Sequence, residues 1–251
     1  MNMREMLLSR HLLGSGGSGG SGGGVVNICE STNPTKEIIS GFSQVGAIRF
    51  PNAESIGAED FIDCTSLTSI ELPVATGIGE YVFGNCTALT SIDLPAAKII
   101  SSNAFRGCTS LTSIGLPVAT YIKDGAFRGC TSLTRIVLPA AKEIETDAFC
   151  ECTALTSIDL PAATKIESAV FQDCAKLIAV ILRTTEAVCV ADFSAFGYTP
   201  LETGEGYIYV PDAMYEYYRA GYAPAMEEAG MAGFFDILFR KIEDYPEICG
   251  S

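Results

Sequence analysis

The chain has 251 residues, 48% of them hydrophobic, and its 30 acidic and 16 basic side chains give a formal net charge of −14. Nucleic-acid interfaces need clustered lysine and arginine, and anionic lipid surfaces repel a strongly acidic protein, so the charge argues against both partners. No stretch approaches the roughly 18 uninterrupted apolar residues of a membrane helix, which argues against membrane insertion.

The N-terminal part of the sequence divides into three segments. Residues 1–13 predict a short amphipathic helix, because Glu5 and Arg10 interrupt the apolar run that a signal peptide would need. Residues 14–24 contain only glycine and serine and predict a flexible linker, either a natural tether or an engineered one. Residues 25–44 hold a candidate strand followed by a polar turn, and we assign them to an N-terminal cap.

From residue 45 to residue 182 the sequence repeats with a period of 22 residues. One phenylalanine, one cysteine and one proline return in every repeat: Phe61, Phe83, Phe105, Phe127, Phe149, Phe171; Cys64, Cys86, Cys108, Cys130, Cys152, Cys174; Pro51, Pro73, Pro95, Pro117, Pro139, Pro161. A fixed period of about 20–50 residues is the signature of a solenoid, in which equivalent side chains of successive coils stack.

One repeat predicts the path of a single coil. Leu67, Ile70 and Leu72 point inward from a short strand, and Pro73 ends that strand because it has no N–H to donate. Residues 82–86 predict a single helical turn whose phenylalanine fills the middle of the coil. The predicted architecture is therefore a stack of coils with a parallel strand ladder, one short helical turn per coil, and non-repeat caps at both ends.

The six periodic cysteines predict an inward row of reduced thiols and not a disulfide framework. Free cysteine behaves as a small buried hydrophobe, and the parallel Cβ directions of stacked residues are poor geometry for a disulfide. Cys150 lies outside this row, one residue after Phe149, where other repeats carry glycine, arginine or glutamine. We therefore expect the Cys150 thiol to be exposed.

Residues 183–251 predict a degenerate repeat and a C-terminal helical cap. Val188 and Phe193 keep the 22-residue spacing, and residues 207–211 match the strand of the repeat after an insertion. A helix is predicted over residues 211–219, with Pro211 at its first turn and Gly221 as its stop.

The repeat unit resembles a known family. The segments Ala104-Phe105-Arg-Gly-Cys108-Thr-Ser-Leu111 and Ala126-Phe127-Arg-Gly-Cys130-Thr-Ser-Leu133 are similar to BspA-like (Treponema-type) leucine-rich repeats, although the usual unit has one residue more. The resemblance covers residues 45–182 and implies a leucine-rich-repeat solenoid of the β-rich α/β repeat class. It also implies adhesion or protein–protein contact, often at a surface.

Two shorter segments carry further resemblances. Residues 206–212 and 242–248 resemble the ends of similar repeat proteins from gut Firmicutes and their prophages. The start of the chain, with its helix and glycine run, resembles the starts of some phage structural proteins. These likenesses imply a cell surface or a phage particle as the location.

The sequence offers no catalytic or metal-binding constellation. His11 is the single histidine and lies ahead of the linker, where it is badly placed to activate a cysteine or serine nucleophile. Cys150 and Cys152 are two residues apart, but Cys152 belongs to the inward row, so the two are not spaced as zinc ligands. The sequence therefore predicts a protein that is not an enzyme and that has no cofactor and no metal.

What remains is recognition by the outward side of the strands. The candidate binding residues on this side are Glu71, Asp93, Arg135, Val137, Asp159 and Ile181. Arg135, Val137 and Ile181 depart from the repeat consensus, and such departures either encode a partner or are drift at exposed sites. Gly115 and Val137 interrupt the acidic column, which disfavours calcium as the ligand.

Two functions remain open from these residues. The first is a non-enzymatic scaffold for binding or adhesion that holds a protein or a glycan. The alternative is a structural component of a phage tail or surface appendage, assembled into the larger particle through residues 1–13. An enzyme is the third and least favoured hypothesis.

Overall fold

The computed structural model describes residues 27–28, 46–191, 193–228 and 238–245, with the backbone alone for 27–28, 193 and 221–228. Over this part of the chain each 22-residue repeat forms one coil, and successive coils stack in parallel. The helix predicted at 1–13 and the linker predicted at 14–24 lie outside the described residues, as does most of the cap predicted at 25–44.

The strand ladder predicted from the sequence is present, with one short parallel strand per coil. Equivalent residues pair, as in Ile70 with Ile92 and Ile92 with Ile114. The ladder consists of a six-stranded and a four-stranded sheet. Its strands are Asn27–Ile28, Ala47–Arg49, Ser69–Glu71, Ser91–Asp93, Ser113–Gly115 and Arg135–Val137, then Ser157–Asp159, Ala179–Ile181, Tyr207–Val210 and Phe239–Lys241.

A second parallel ladder of seven strands runs along another side of the coils. Each of its strands has two residues, the second of which is buried in the coils from Ser55–Ile56 to Lys165–Ile166. We call this the second ladder. Its strands are Ser55–Ile56, Gly77–Ile78, Ile99–Ile100, Tyr121–Ile122, Glu143–Ile144, Lys165–Ile166 and Cys189–Val190.

The segment predicted as a helical turn is a series of tight turns around the phenylalanine. The Cys64 N–H donates to the Phe61 carbonyl at 3.1 Å, the i→i−3 bond of a 3₁₀ turn, and the Phe61 N–H donates to Val82 O of the next coil at 2.9 Å. Glu59 and Asp63 flank the ring in left-handed conformation, both with φ 59°. The later coils repeat this at Tyr81, Asn85, Asn103, Gly107, Gly125, Gly129, Asp147, Glu151, Ala169 and Asp173.

The periodic phenylalanines form one continuous column in the interior, as predicted. From Phe61 to Phe196, successive ring centroids are 5.2–5.8 Å apart and the ring planes lie within 4–23° of each other. All of them belong to a single hydrophobic core that extends from Ile48 to Phe239. Such burial is the main stabilising contribution, at about 25 cal/mol per Å² of apolar surface.

The predicted cysteine row is also present, and its cysteines are free thiols. From the second coil onward each thiol donates to the phenylalanine carbonyl of the preceding coil, with Sγ···O distances of 3.0–3.2 Å. The first of these bonds joins Cys86 to Phe61 O, which also accepts the Cys64 N–H. Cysteine therefore fills the core and links adjacent coils.

After the regular repeats the spacing changes, and the 22-residue spacing expected from the sequence is wrong here. Phe196, 25 residues after Phe171, stacks on that ring at a centroid distance of 5.8 Å and continues the column. Val190, and not Val188, pairs with Ile166 in the second ladder. The coil is lengthened here, so the strict 22-residue count no longer identifies equivalent positions.

The C-terminal part closes this end of the described core. The strand predicted within residues 207–211 is confirmed as Tyr207–Val210, which pairs with the last regular strand. The α-helix, Asp212–Glu228, begins as predicted but continues beyond Gly221, so the predicted end of this helix is wrong. Tyr218 anchors the helix, because its buried hydroxyl oxygen accepts the Val188 N–H at 2.8 Å.

Candidate functional site

The outward side of the strand ladder is the surface that the sequence predicts for binding. We call it the strand face and define it as the first and third residues of the strands from Ser69–Glu71 to Ala179–Ile181. The middle residue of each strand is buried while its neighbours face away from the core, because side chains alternate across a strand. The strand face is therefore a regular grid, with about 4.8 Å between adjacent coils.

Two of the predicted acidic residues are paired with arginines of neighbouring coils. Glu71 lies 3.0 Å from Arg49 Nε. Asp159 accepts two hydrogen bonds from Arg183 Nε, at 3.1 and 2.9 Å. Both pairs are substantially exposed, so each contributes about 1 kcal/mol or less, and their main effect is to neutralise these two parts of the strand face.

Asp93 is different, because it is exposed and has no ion pair with any described residue. Its carboxylate leans over Gly115 of the next coil, where an added Cβ would lie 2.8 Å from Asp93 Oδ1. The glycine thus leaves a notch in the grid, and the carboxylate lies at its edge. This arrangement leaves Asp93 open to a donor from a partner.

Arg135 and Val137 are the exposed off-consensus residues of the strand face. Val137 is 45% exposed, and Arg135 forms no ion pair within the described part of the chain. Their strand is the last of the six-stranded sheet, and the next strand, Ser157–Asp159, begins the four-stranded sheet. The two departures from the consensus therefore coincide with an interruption of the hydrogen-bonded ladder.

The prediction that Ile181 is an exposed binding residue is wrong, since its side chain is only 5% exposed. Ile181 and Tyr209 form a small second apolar cluster on the outer side of the ladder, and Ile242 and Tyr245 pack against it. The Tyr245 ring meets the Tyr209 ring edge-on at a centroid distance of 5.5 Å. The C-terminal segment therefore covers this end of the strand face.

The second ladder presents exposed apolar residues that the sequence analysis does not single out. Ile99 and Tyr121 pair directly across adjacent coils, and they are 42% and 36% exposed. Lys98 and Lys142 lie on the coils on either side of Tyr121 and are exposed. We call Lys98, Ile99, Tyr121 and Lys142 the second-ladder patch. The signal in the sequence is that Ile99 and Tyr121 replace the small or polar residues found at this position in the other coils.

A shallow groove of about 430 Å³ lies near the start of the second ladder. Pro51, Asn52, Glu54, Val74 and Thr76 line it. Small-molecule sites are enclosed and converge several polar groups on one ligand, whereas this groove is largely open to solvent. It is better suited to contact a side chain of a protein partner.

The cysteine row is unsuited to nucleophilic chemistry. Burial raises the pKa of Cys108 and of Cys174 to about 12, and it raises the pKa of Cys130 and Cys152 well above the usual range. Thiolates are the reactive form, so these thiols are inert at neutral pH.

The prediction that Cys150 is exposed is wrong, because its side chain is only 2% exposed. Arg128 of the preceding coil reaches Asp147 Oδ2 at 2.6 Å and Glu151 Oε1 at 2.8 Å, carboxylates on both sides of Cys150 in the chain. The bridging arginine shields the thiol from solvent, and burial raises the Cys150 pKa to about 11. Among the cysteines that the structure describes, only Cys189 is exposed.

Neither a metal cluster nor a membrane helix is found in the described ranges. No group of three or more histidine, cysteine, aspartate or glutamate side chains there is arranged to hold a metal ion. No helix within the same residues is long and apolar enough to cross a membrane.

The stacked coils with parallel strands and aligned core columns define a leucine-rich-repeat solenoid. The sequence matches the BspA type leucine rich repeat region in six copies, over residues 40–120 and 98–206. The chain belongs to the family of BspA-type leucine-rich repeat proteins. Leucine-rich repeat proteins typically mediate protein binding or adhesion and are generally not enzymes, and BspA-type members are often surface-associated.

A solved structure at 26% identity gives the same fold. A leucine-rich repeat protein of T. pallidum is 26% identical, with a TM-score of 0.53, and the match covers 66% of this chain and 76% of that one. A leucine-rich cell surface protein of Faecalibacterium prausnitzii is 20% identical with a TM-score of 0.41, covering 64% of this chain and 62% of that one. The comparison with curated proteins gives no significant match.

Proposed function

We propose that the protein is a non-enzymatic binding module that recognises a protein partner through the centre of the strand face. The observation that carries this proposal is the exposure of Arg135 and Val137 where the hydrogen-bonded ladder is interrupted. Exposed off-consensus residues on a repetitive scaffold are the positions at which one coil differs chemically from the next. They are therefore the positions that can give specificity.

The chemistry of these residues favours a protein over a glycan. Val137 offers an apolar contact, while Arg135 and Asp93 offer a cation and an anion within about three coils, roughly 10 Å. Protein partners provide apolar and charged groups at such spacings, and arginine is enriched at the centres of protein interfaces. A glycan partner remains the alternative, and the experiment below includes it.

Rigidity supports the same function. The middle residues of the strands are buried in one continuous core, so the strand face has little conformational freedom to lose on binding. BspA-type members are often surface-associated, and we extend this location to the present chain as part of the proposal. Assembly into a phage particle depends on residues 1–13, outside the described part, and stays a prediction.

The test is a binding screen with matched variants. Purified protein is applied to an array of surface and extracellular proteins and to a glycan array, as wild type and as the variants Arg135→Glu and Val137→Ser. Arg106→Glu makes the same change as Arg135→Glu, and Ile62→Ser a similar change to Val137→Ser, at exposed positions of the phenylalanine turns. Circular dichroism confirms that all variants are folded.

We expect protein hits whose affinity falls about tenfold in the strand-face variants, the size of a moderate interface contact. The control variants keep wild-type affinity. Hits on glycans alone would show that the partner is a glycan and not a protein. Hits that all four variants bind equally well, or the absence of any hit, would refute the strand face as the binding surface.

A further inference from the structure

The second-ladder patch is a compact feature within three adjacent coils. Ile99 pairs with Tyr121, whose N–H donates to Lys98 O at 3.4 Å, and the Lys142 N–H donates to Thr120 O at 2.9 Å. The two lysines are thus hydrogen-bonded neighbours of the Thr120–Tyr121 segment, one on each side. Their long side chains extend from the backbone that flanks the exposed ring.

The two lysines have free charges in a protein that is acidic overall. Neither Lys98 nor Lys142 forms an ion pair with any residue that the structure describes. Lys123 and Lys165 on the same side are paired with Glu145 and Glu167. Against a net charge of −14, two uncompensated cations beside an exposed aromatic ring are a local exception.

Two more exposed apolar residues lie close in the chain to strands of the second ladder. Val74 and Val118 are 42% and 40% exposed and precede the second ladder in their coils. Together with Ile99 and Tyr121 they are four of the nine large hydrophobic residues exposed in the described part of the chain. Clustered exposed apolar side chains on a soluble protein mark interaction sites more often than scattered ones do.

We propose that the second-ladder patch is a second binding surface and that it takes an acidic, extended protein segment. Two carboxylates of the segment pair with Lys98 and Lys142, and an apolar side chain between them contacts Ile99 and Tyr121. The lysines are two coils apart, about 10 Å, which matches residues i and i+3 of a polyproline II segment at about 3.1 Å per residue. Charge complementarity selects this occupant over a basic or neutral one.

The surrounding charges limit where such a segment lies. Glu143 lies on the coil of Lys142, between Tyr121 and Lys165 in the second ladder, and bounds the patch on this side. Glu54 lines the groove two coils before Lys98. An acidic segment is therefore attracted to the two lysines and repelled by Glu143 and, farther away, by Glu54.

The experiment uses the whole chain and a short fluorescein-labelled peptide built of Glu-Leu-Pro units, measured by fluorescence anisotropy. Matched peptides of Gln-Leu-Pro and Lys-Leu-Pro units test the charge of the segment. Protein variants are the double change Lys98→Glu with Lys142→Glu, and the single change Tyr121→Ser. The control double change, Arg106→Glu with Lys176→Glu, alters the net charge equally at exposed positions outside both candidate surfaces.

We expect weak binding of the Glu-Leu-Pro peptide alone. Each exposed ion pair contributes a factor of about two to five in affinity, so the double lysine variant loses about tenfold or more. Tyr121→Ser also weakens binding, and the control double variant retains it. Sodium chloride at 1 M, where the Debye length is about 3 Å, weakens the wild-type complex.

Four results would overturn the proposal. They are no binding of the Glu-Leu-Pro peptide, equal binding of the Gln-Leu-Pro peptide, equal losses in the lysine and control double variants, or a loss in the control variant alone. Equal losses would show that the peptide responds only to net charge, and a loss in the control variant alone would show that it binds elsewhere than the second-ladder patch. The proposed function of the strand face fails or holds independently, since its array hits depend on Arg135 and Val137.

Discussion

The column of phenylalanine rings makes a quantitative prediction about stability. Phe127 is fully buried and is stacked on both faces, at 5.3 Å from Phe105 and 5.2 Å from Phe149, each with an interplanar angle of 4°. Truncating a buried phenylalanine to alanine costs about 3–5 kcal/mol, and each lost ring pair adds about 0.5–1.5 kcal/mol beyond area. We therefore expect Phe127→Ala to lower the free energy of unfolding by about 5 kcal/mol, at or above the top of the usual range for such a truncation.

Two comparisons distinguish the stabilisation by ring stacking in the column from the stabilisation by burial alone. Phe127→Leu keeps most of the apolar volume and should cost about 1–2 kcal/mol. In a double-mutant cycle, Phe127→Ala and Phe149→Ala should be non-additive by about 1 kcal/mol, because their shared contact is lost only once. The distant pair Phe127→Ala and Phe61→Ala, three coils apart, should be additive to within about 0.5 kcal/mol.

The assay is urea denaturation followed by far-ultraviolet circular dichroism, since the chain has no tryptophan. The free energy of unfolding is obtained by linear extrapolation at a common slope. A cost for Phe127→Ala below about 2 kcal/mol, or one equal to that of Phe127→Leu, would refute the idea that the rings form one tightly packed column.

Three further predictions follow from the turns and the thiols. Burial raises the pKa of Cys108 from 9.0 to about 12, so the unfolded chain ionises first and the free energy of unfolding falls as the pH rises above 9.0. Cys108→Ala should remove up to about 1.4 kcal/mol per pH unit of that fall in alkaline urea titrations, and an unchanged slope would contradict this. Gly107 has φ 71° and an added Cβ would lie 2.5 Å from a neighbouring side-chain oxygen, so Gly107→Ala should lower stability by about 1–2 kcal/mol. Ala169→Gly, at φ 55°, should be neutral or stabilising by about 0.5 kcal/mol, and a matching loss at both sites would argue against the left-handed turns. Iodoacetamide followed by mass spectrometry should label exposed Cys189 and spare Cys130 in the native protein, and rapid labelling of Cys130 would show that the core is open.

The sequence predicts those parts of the fold in which one side chain is repeated in every coil. The phenylalanine column and the cysteine row follow directly from the period, because equal spacing in the chain becomes stacking in space. The second ladder is not predicted, since a strand such as Gly77–Ile78 is too short for an alternating pattern. The bond from each thiol to the preceding coil is not predicted either, because it joins residues 25 positions apart.

The errors at single sites share a physical cause. Ile181 and Cys150 are exposed in the repeat considered alone, and both are buried by residues from elsewhere. Tyr245 and Ile242 reach Ile181 from the C-terminal segment, and Arg128 covers Cys150 from the neighbouring coil. The repeat pattern predicts how equivalent positions of neighbouring coils pack on each other. These contacts are instead made by residues that are not repeated in every coil.

The equal length of the coils restricts how such a chain can change. Removing any 22 consecutive residues from the regular part joins two positions that are already equivalent, so every column stays aligned and the molecule is shortened by one layer. Removing 21 or 23 would rotate all later side chains out of alignment. Recombination between neighbouring repeats can therefore move the two candidate binding surfaces nearer to or farther from the C-terminal end in fixed increments, without a new interior having to evolve.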